Sequence, residues 1–241
     1  LKSDRETSLI NHFYYPKHGP GQMWSVVAEQ VLSAGGDIRF NHSVNGVYLE
    51  DNKVTSVTTI DENGNFQQLQ CDYFFSTMPV KELVNMIRPK PPEEVLRVGN
   101  GLIYRDFFTV GITVKNLDVE IRSSNGLLSR LCNKLNLGLG TRVANVVPDN
   151  WIYIQDGSVK VGRIQIYNNW SPYMVSDPHN TVSLGLEYFA NQGDDLWQMP
   201  DEELIDYAIE ELERINFAKK SNVLGCHVER MTKAYPAYFG T

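Results

Sequence analysis

The chain has no surplus of positive charge, and that absence removes a class of partner at once. Across 241 residues, 22 Lys and Arg stand against 29 Asp and Glu, a net charge of −7. Binding a phosphate backbone needs clustered cations, so no nucleic-acid partner is expected. No apolar run reaches the roughly 18 residues that a membrane-spanning helix needs, and no transmembrane segment is expected. The opening Leu1-Lys2-Ser3-Asp4-Arg5-Glu6 is charged and lacks the apolar centre of a secretory signal, so the expected compartment is the cytoplasm. Cysteine is scarce. Cys71, Cys132 and Cys226 are odd in number, far apart and without a histidine in ligand register, which suits three reduced thiols better than a disulfide framework or a zinc site. The five histidines are scattered, and only His18, inside a glycine-rich turn, holds a position of interest. There is no nucleophile elbow, no H-E-x-x-H, no phosphate loop and no carboxylate pair on one helix face. No catalytic residue is named by a motif, and none is assigned.

With 42% hydrophobic and 11% aromatic residues the chain is long and apolar enough to bury a substantial core, as one large domain or two small ones. Its most informative stretch is Tyr15-Pro16-Lys17-His18-Gly19-Pro20-Gly21-Gln22-Met23-Trp24. The two glycines remove Cβ bulk at a helix start, where main-chain N–H groups can meet a ligand; the same residues also make an ordinary tight turn. Met23, Trp24, Val27, Ala28, Val31 and Leu32 then recur on one helical face, and Gly35-Gly36 ends the helix. Strands are expected at 44–49, 54–60 and 66–75, joined by turns at Asp51-Asn52 and Asn63-Gly64 into a meander that packs beside this helix.

Pro79 opens a short helix through Ile87, and Pro89, Pro91 and Pro92 mark a connector. Longer strands at 104–114, 151–154, 159–167 and 181–189, rich in aromatic and β-branched residues, are expected to form a larger, mostly antiparallel sheet. Pro200 begins a helix with Asp201, Glu202 and Glu203 in its first turn and a core face of Leu204, Ile205, Ala208, Ile209, Leu212 and Ile215. The stretch from 120 to 148 is the least readable, with a loop expected at Ser123-Ser124-Asn125-Gly126. The fold class is α+β, with mixed and antiparallel sheets and packed helices.

Three blocks carry a resemblance. The first is the run from Phe13 to Val57, with Tyr15-Pro16, Gly19 to Trp24, Gly35-Gly36-Asp37-Ile38-Arg39-Phe40, Val44 and Val54-Thr55-Ser56-Val57; the second is Cys71 to Pro79. The third and most specific comprises Val161-Gly162-Arg163-Ile164-Gln165, Asn169-Trp170-Ser171-Pro172, Leu186-Glu187-Tyr188-Phe189 and Ala234-Tyr235-Pro236-Ala237-Tyr238. In this order they resemble flavin-dependent amine-oxidase-like proteins. The resembling branch is bacterial, linked to lipopolysaccharide and other surface-polysaccharide biosynthesis, and akin to UDP-galactopyranose mutase and protoporphyrinogen-oxidase-like proteins.

The resemblance implies a GR2-type flavoprotein fold, of which this chain would be chiefly the substrate-domain portion. It implies a division into 1–89, an incomplete flank of the FAD domain, and 90–241, a substrate-binding domain. The family's opening G-x-G-x-x-G turn is missing: Gly99-Asn100-Gly101 and Gly138-Leu139-Gly140 lack the third glycine and the strand–helix frame. A start at Leu1 and an end at Phe239-Gly240-Thr241 are therefore read as those of a middle piece of a longer flavoprotein, expected to hold no FAD on its own although the whole protein would. By resemblance, Gly19 and Gly21 approach the flavin or a substrate diphosphate, Val44 meets the adenine edge or is an ordinary strand valine, and Tyr235 and Tyr238 line the substrate side of the ring. Arg163, in an apolar strand, is either a phosphate or carboxylate ligand or the partner of Glu187 on a neighbouring strand. Trp170 and Tyr173 stack on a sugar or nucleobase, or anchor their loop. The implied activity is that of an FAD-dependent oxidoreductase with a small-molecule substrate, such as a nucleotide sugar. A non-redox UDP-sugar mutase and a non-catalytic scaffold are the alternatives.

Overall fold

The computed structural model describes residues 14–118 and 147–237. The expected loop at Ser123–Gly126 and the site candidate Tyr238 lie outside the described residues. Mixed helices and sheets confirm the α+β class. The chain packs as two compact units, each assembled from separated stretches: Leu1–Gln30 with Phe108–Arg230, and Val31–Phe107 with Met231–Thr241.

The second of these units holds a four-stranded sheet. Strands β1 (His42–Glu50), β2 (Lys53–Asp61) and β3 (Phe66–Gln70) form the expected meander. The β1–β2 turn has Asp51 and Asn52 both at positive φ, 49° and 60°, as a two-residue hairpin of right-handed twist requires. The β2–β3 turn is tied by Asp61, whose carboxylate accepts from the N–H groups of Asn63 and Asn65, both at 2.9 Å. Those bonds, led by the Asn65 side chain, hold its pKa below the ordinary carboxylate value. After α2 (Val80–Met86), β4 (Ile87–Arg88) pairs in parallel with β1, giving the order β3-β2-β1-β4.

Two expectations are corrected in this unit. Strand β3 stops at Gln70 rather than 75: its last ladder pair is Ser56–Gln70, the Cys71 N–H still reaches Thr55 O at 3.0 Å, and Tyr73 and Phe75 are left exposed. The proline connector runs into a helix, α3 (Glu93–Gly101), started by Pro92 with Glu93 and Glu94 in its positive first turn.

Strands β5 (Tyr104–Val114), β6 (Trp151–Tyr153), β7 (Arg163–Ile166), β8 (Val182–Tyr188) and β9 (Val223–Pro236) form a sheet in the order β6-β7-β8-β5-β9. Neighbours from β6 to β5 pair antiparallel, as expected. Strict alternation decides its two faces. Phe108, Val110, Ile112 and Val114 of β5, Ile164 and Ile166 of β7, and Val182, Leu184, Leu186 and Tyr188 of β8 point one way and are buried. Two short helices, α4 (Tyr167–Trp170) and α5 (Asp195–Gln198), precede α6 (Asp201–Arg214), and Leu204, Ala208, Ile209 and Leu212 of α6 share that core.

Strand β7 is shorter than its 159–167 hydrophobic run. The N–H groups of Lys160 and Val161 go to the buried Glu211 carboxylate, at 2.5 and 3.0 Å, instead of to a neighbouring strand. Strand β9 went unforeseen because it is an edge strand with only Val228 buried, so it carries no apolar alternation.

Helix α1 (Pro20–Ser33) forms where its periodicity places it, but the expected packing of its apolar face is not found. No α1 side chain is buried, and Met23, Trp24, Val27, Val31 and Leu32 are exposed, because the described residues bring no surface against that stripe.

Candidate functional site

On the other face of the β6–β7–β8–β5 sheet, alternation turns a different set of residues outward. Register places Tyr153 opposite Arg163, Arg163 opposite Glu187 and Glu187 opposite Thr109; the next row is Trp151, Gln165, Gly185 and Gly111. The Glu187 side chain is 4% exposed and that of Arg163 25%. The carboxylate is fully engaged: Oε2 accepts from Arg163 Nε at 2.7 Å and from Nη2, and Oε1 accepts from Gln165 Nε2. Burial opposes the Arg163 charge, but the hydrogen bonds and negative charge of Glu187, with the Tyr153 phenol, outweigh it and hold the guanidinium above its ordinary pKa. Within the pair the two formal charges cancel.

Aromatic rings surround it. The Arg163 guanidinium lies 5.5 Å from the Trp151 ring centre and 5.7 Å from that of Tyr153. Trp151 in turn meets Trp170 at 5.2 Å, and Trp170 meets Tyr15 at 5.1 Å. Gly185 bears no Cβ because one would fall 2.4 Å from the Tyr167 hydroxyl, so the first residue of α4 lies over the bare backbone of β8. Burial first, then the charge of Glu187 and the nearby Tyr15, raise the Tyr167 pKa and keep its phenol protonated as a donor.

The glycine-rich turn docks onto the segment after α4. Ser171 Oγ donates to Lys17 O at 2.6 Å, Lys17 Nζ sits 4.2 Å above the Tyr173 ring, and Tyr15 OH meets Met174 Sδ at 3.7 Å. Gly19 is buried at φ +85°, a conformation L side chains rarely adopt, and an added Cβ would press on Met174 at 3.4 Å. Gly21 differs, since a Cβ there would meet nothing within 4 Å.

A family model described as flavin containing amine oxidoreductase matches residues 12–238. The chain belongs to that family. No curated relative matches it in sequence. Reduced UDP-galactopyranose mutase shares its fold with a TM-score of 0.68 at 18% identity, covering 93% of this chain and 42% of that one. A protein described as a protoporphyrinogen oxidase, from Exiguobacterium sp. 255-15, follows at 0.59 and 14%, covering 91% and 40%. Wild-type putrescine oxidase bound to putrescine gives 0.58 and 14%, covering 92% and 42%. At these identities the likeness establishes the fold, that of GR2-type flavoproteins. The chain spans about two fifths of the length of these neighbours.

The group this family implies is FAD, and among the described residues the Gly19 turn does not fit its diphosphate. An anion seat needs several unpaired backbone N–H groups. In the Gly19 turn the His18 N–H donates to Gln22 Oε1 at 2.9 Å, the Gly19 N–H to Pro16 O at 3.0 Å and the Gln22 N–H to Gly19 O at 3.1 Å, while Pro20 has none. Those three donors are spent within the turn. Among the described residues there is no cluster of side chains able to hold a metal ion, and no helix long and apolar enough to cross a membrane.

Of the residues singled out from sequence, Gly19, Gly21, Arg163 and Trp170 fall in the same compact unit, and the turn at Gly19 adjoins the Trp170 segment through Tyr15 and Lys17. Val44, half-buried in β1 beside a register shift, and Tyr235, 38% exposed near the end of β9, belong to the other unit. Trp151, Tyr153, Gln165 and Tyr167 were missed. The alternation Trp151-Ile152-Tyr153 and Arg163-Ile164-Gln165-Ile166 carried the signal, since the apolar residues between them point into the core.

Proposed function

We propose that this chain is the substrate-facing part of a flavin-dependent oxidoreductase of bacterial lipopolysaccharide or surface-polysaccharide assembly, working in the cytoplasm on a small molecule such as a nucleotide sugar. The observation that carries the reading is the outward face of the sheet, where a neutralised Arg163–Glu187 pair sits among Trp151, Tyr153 and Trp170 in a chain of a flavin family. Chemistry in such enzymes belongs to the cofactor, and the protein contributes orientation, donors and exclusion of water. In this reading Arg163, Trp170, Tyr235 and Tyr238 contact substrate, Gly21 allows close approach of the bound molecule beside Gly19, and Val44 meets the adenine. The 1–89 and 90–241 stretches divide cofactor flank from substrate domain. The chain alone is expected to hold no FAD, since the His18, Gly19 and Gln22 N–H groups are spent within their turn.

A second reading, a flavin-dependent UDP-sugar mutase without net redox change, is favoured by the likeness to UDP-galactopyranose mutase, at a TM-score of 0.68 against 0.58 for putrescine oxidase. The absorption spectrum of the full-length protein separates the readings. Stoichiometric flavin bleached anaerobically by an amine or sugar nucleotide supports the oxidoreductase. Flavin that turns over a UDP-sugar only after chemical reduction supports the mutase, and a full-length protein without flavin leaves a binding scaffold.

A further inference from the structure

The Arg163–Glu187–Gln165 cluster discriminates among ligand chemistries by what it has already used. An amine would need a carboxylate free to pair with it, and both oxygens of Glu187 are taken by Arg163 and Gln165. A phosphate would need net positive charge, and the buried Glu187 cancels that of Arg163. What the cluster leaves available is neutral and planar. Gln165 turns its amide nitrogen to the carboxylate, which leaves its oxygen as an acceptor. Arg163 engages Glu187 through Nε and Nη2 and also hydrogen-bonds with the Tyr153 phenol, so guanidinium and phenol form one polar edge.

Beside this edge stand two open ring faces, with Tyr153 59% and Trp151 44% exposed. Beyond Gln165 the platform is bounded by Tyr167, which covers the backbone at Gly185. An aromatic platform flanked by planar, uncharged-in-sum hydrogen-bonding groups matches a ring with an apolar C–H face and a rim of hydroxyls. We infer that this face of the sheet binds an uncharged pyranose ring, stacked on Tyr153 and Trp151 and hydrogen-bonded by Gln165 Oε1 and the Arg163–Tyr153 edge. The inference rests on the proposed substrate-facing role but not on flavin chemistry. It selects a glycosyl group over an amine or a bare phosphate.

The test is titration of full-length protein with methyl glycopyranosides, followed by saturation-transfer NMR and tryptophan fluorescence, with benzylamine, inorganic pyrophosphate and UDP as competing classes. Saturable glycoside binding is expected, weakened at least tenfold by Tyr153→Ala and by Trp151→Ala and retained in Tyr153→Phe, which keeps the ring. Tyr153 lies exposed in the three-residue edge strand β6, so its variants leave the core untouched. Glu187→Gln releases the Arg163 charge and should strengthen pyrophosphate binding at least tenfold. Comparing UDP-galactose with UDP separates a free sugar from a nucleotide-borne one: in the second case Tyr153→Ala removes only the increment due to galactose. Absent glycoside binding, glycoside binding unchanged in both alanine variants, or benzylamine or pyrophosphate binding in the wild type that those variants abolish, each overturns the inference. Flavin content, read from the same samples, reports on the oxidoreductase reading separately, so either can fail while the other stands.

Discussion

The unit formed by Leu1–Gln30 and Phe108–Arg230 holds most of the buried hydrophobic residues among those described, whereas the Val31–Phe107 unit leaves several aromatic side chains exposed. The first has a continuous core in which Phe108, Val110, Ile164, Leu186, Leu204 and Leu212 are at most 1% exposed. In the second, Val47, Val84 and Leu96 are the buried hydrophobic residues among those described, while Phe40, Phe66, Tyr73 and Phe75 are 70–90% exposed. A polar cluster such as Arg163–Glu187–Gln165 is held in one geometry only on a backbone that a packed core has already made rigid. The site candidates with a hydrogen-bonded setting accordingly lie in the first unit.

The largest effect should come from the core side of this contrast. Phe108→Ala removes a ring stacked at 4.8 Å on Tyr188 and is expected to cost about 3–5 kcal/mol in urea denaturation. Phe66→Ala should change stability by less than about 0.5 kcal/mol; comparable losses would erase the distinction between the units. Next comes Glu211, fully buried, which accepts from Lys160 and Val161 N–H and from the Tyr188 hydroxyl at 3.0 Å. Replacing it by Leu strands these donors, at about 3 kcal/mol in all. Glu82→Gln, which breaks the partly exposed Lys233 pair of the other unit, should cost less than about 1 kcal/mol.

The glycine turn gives a smaller and sharper comparison. Gly19→Ala meets positive φ and Met174 together and should lower stability by about 1–2 kcal/mol, read as a fall in Tm. Gly21→Ala enters open space in the first turn of α1 and should leave Tm unchanged. A tenfold loss of flavin or substrate binding in Gly21→Ala at unchanged Tm would mark close approach of a ligand, and unchanged binding would make the turn purely structural. The smallest effect concerns pH. Burial, then the Glu211 hydrogen bond and charge, push the Tyr207 phenol up to about 12 from its ordinary value of 10.0. Its protonated form is favoured on folding, so its contribution is complete below pH 10 and is lost as pH rises through about 12. Tyr207→Phe should flatten the fall of stability in that window, and an identical alkaline profile would contradict the assignment.

Reading the chain from its residues succeeded where a local pattern and a buried face coincide. The hairpin at Asp51-Asn52, the alternation of 104–114 and the 3.6-residue stripe from Leu204 to Leu212 each repeat one signal over several residues, and each element is found where that signal lies. It failed where partners decide. Strand β9 has an edge to pair with but almost no buried side chain, α3 follows prolines that read equally well as a loop, and the N–H groups of 160 and 161 are taken from the ladder by a carboxylate fifty residues away in sequence.

The candidate site divides the same way. Sequence alone determined the acidic balance, the α+β pattern, the flavin-family likeness and the choice of Arg163 between two stated roles, because these depend on residue identity and short spacing. Only the tertiary structure decided that Arg163 is paired with Glu187, that Trp151, Tyr153 and Gln165 share its face and that Gly185 makes room for Tyr167. Those facts follow from strand order and register, which bring β6, β7 and β8 side by side through pairings that no local stretch of sequence specifies.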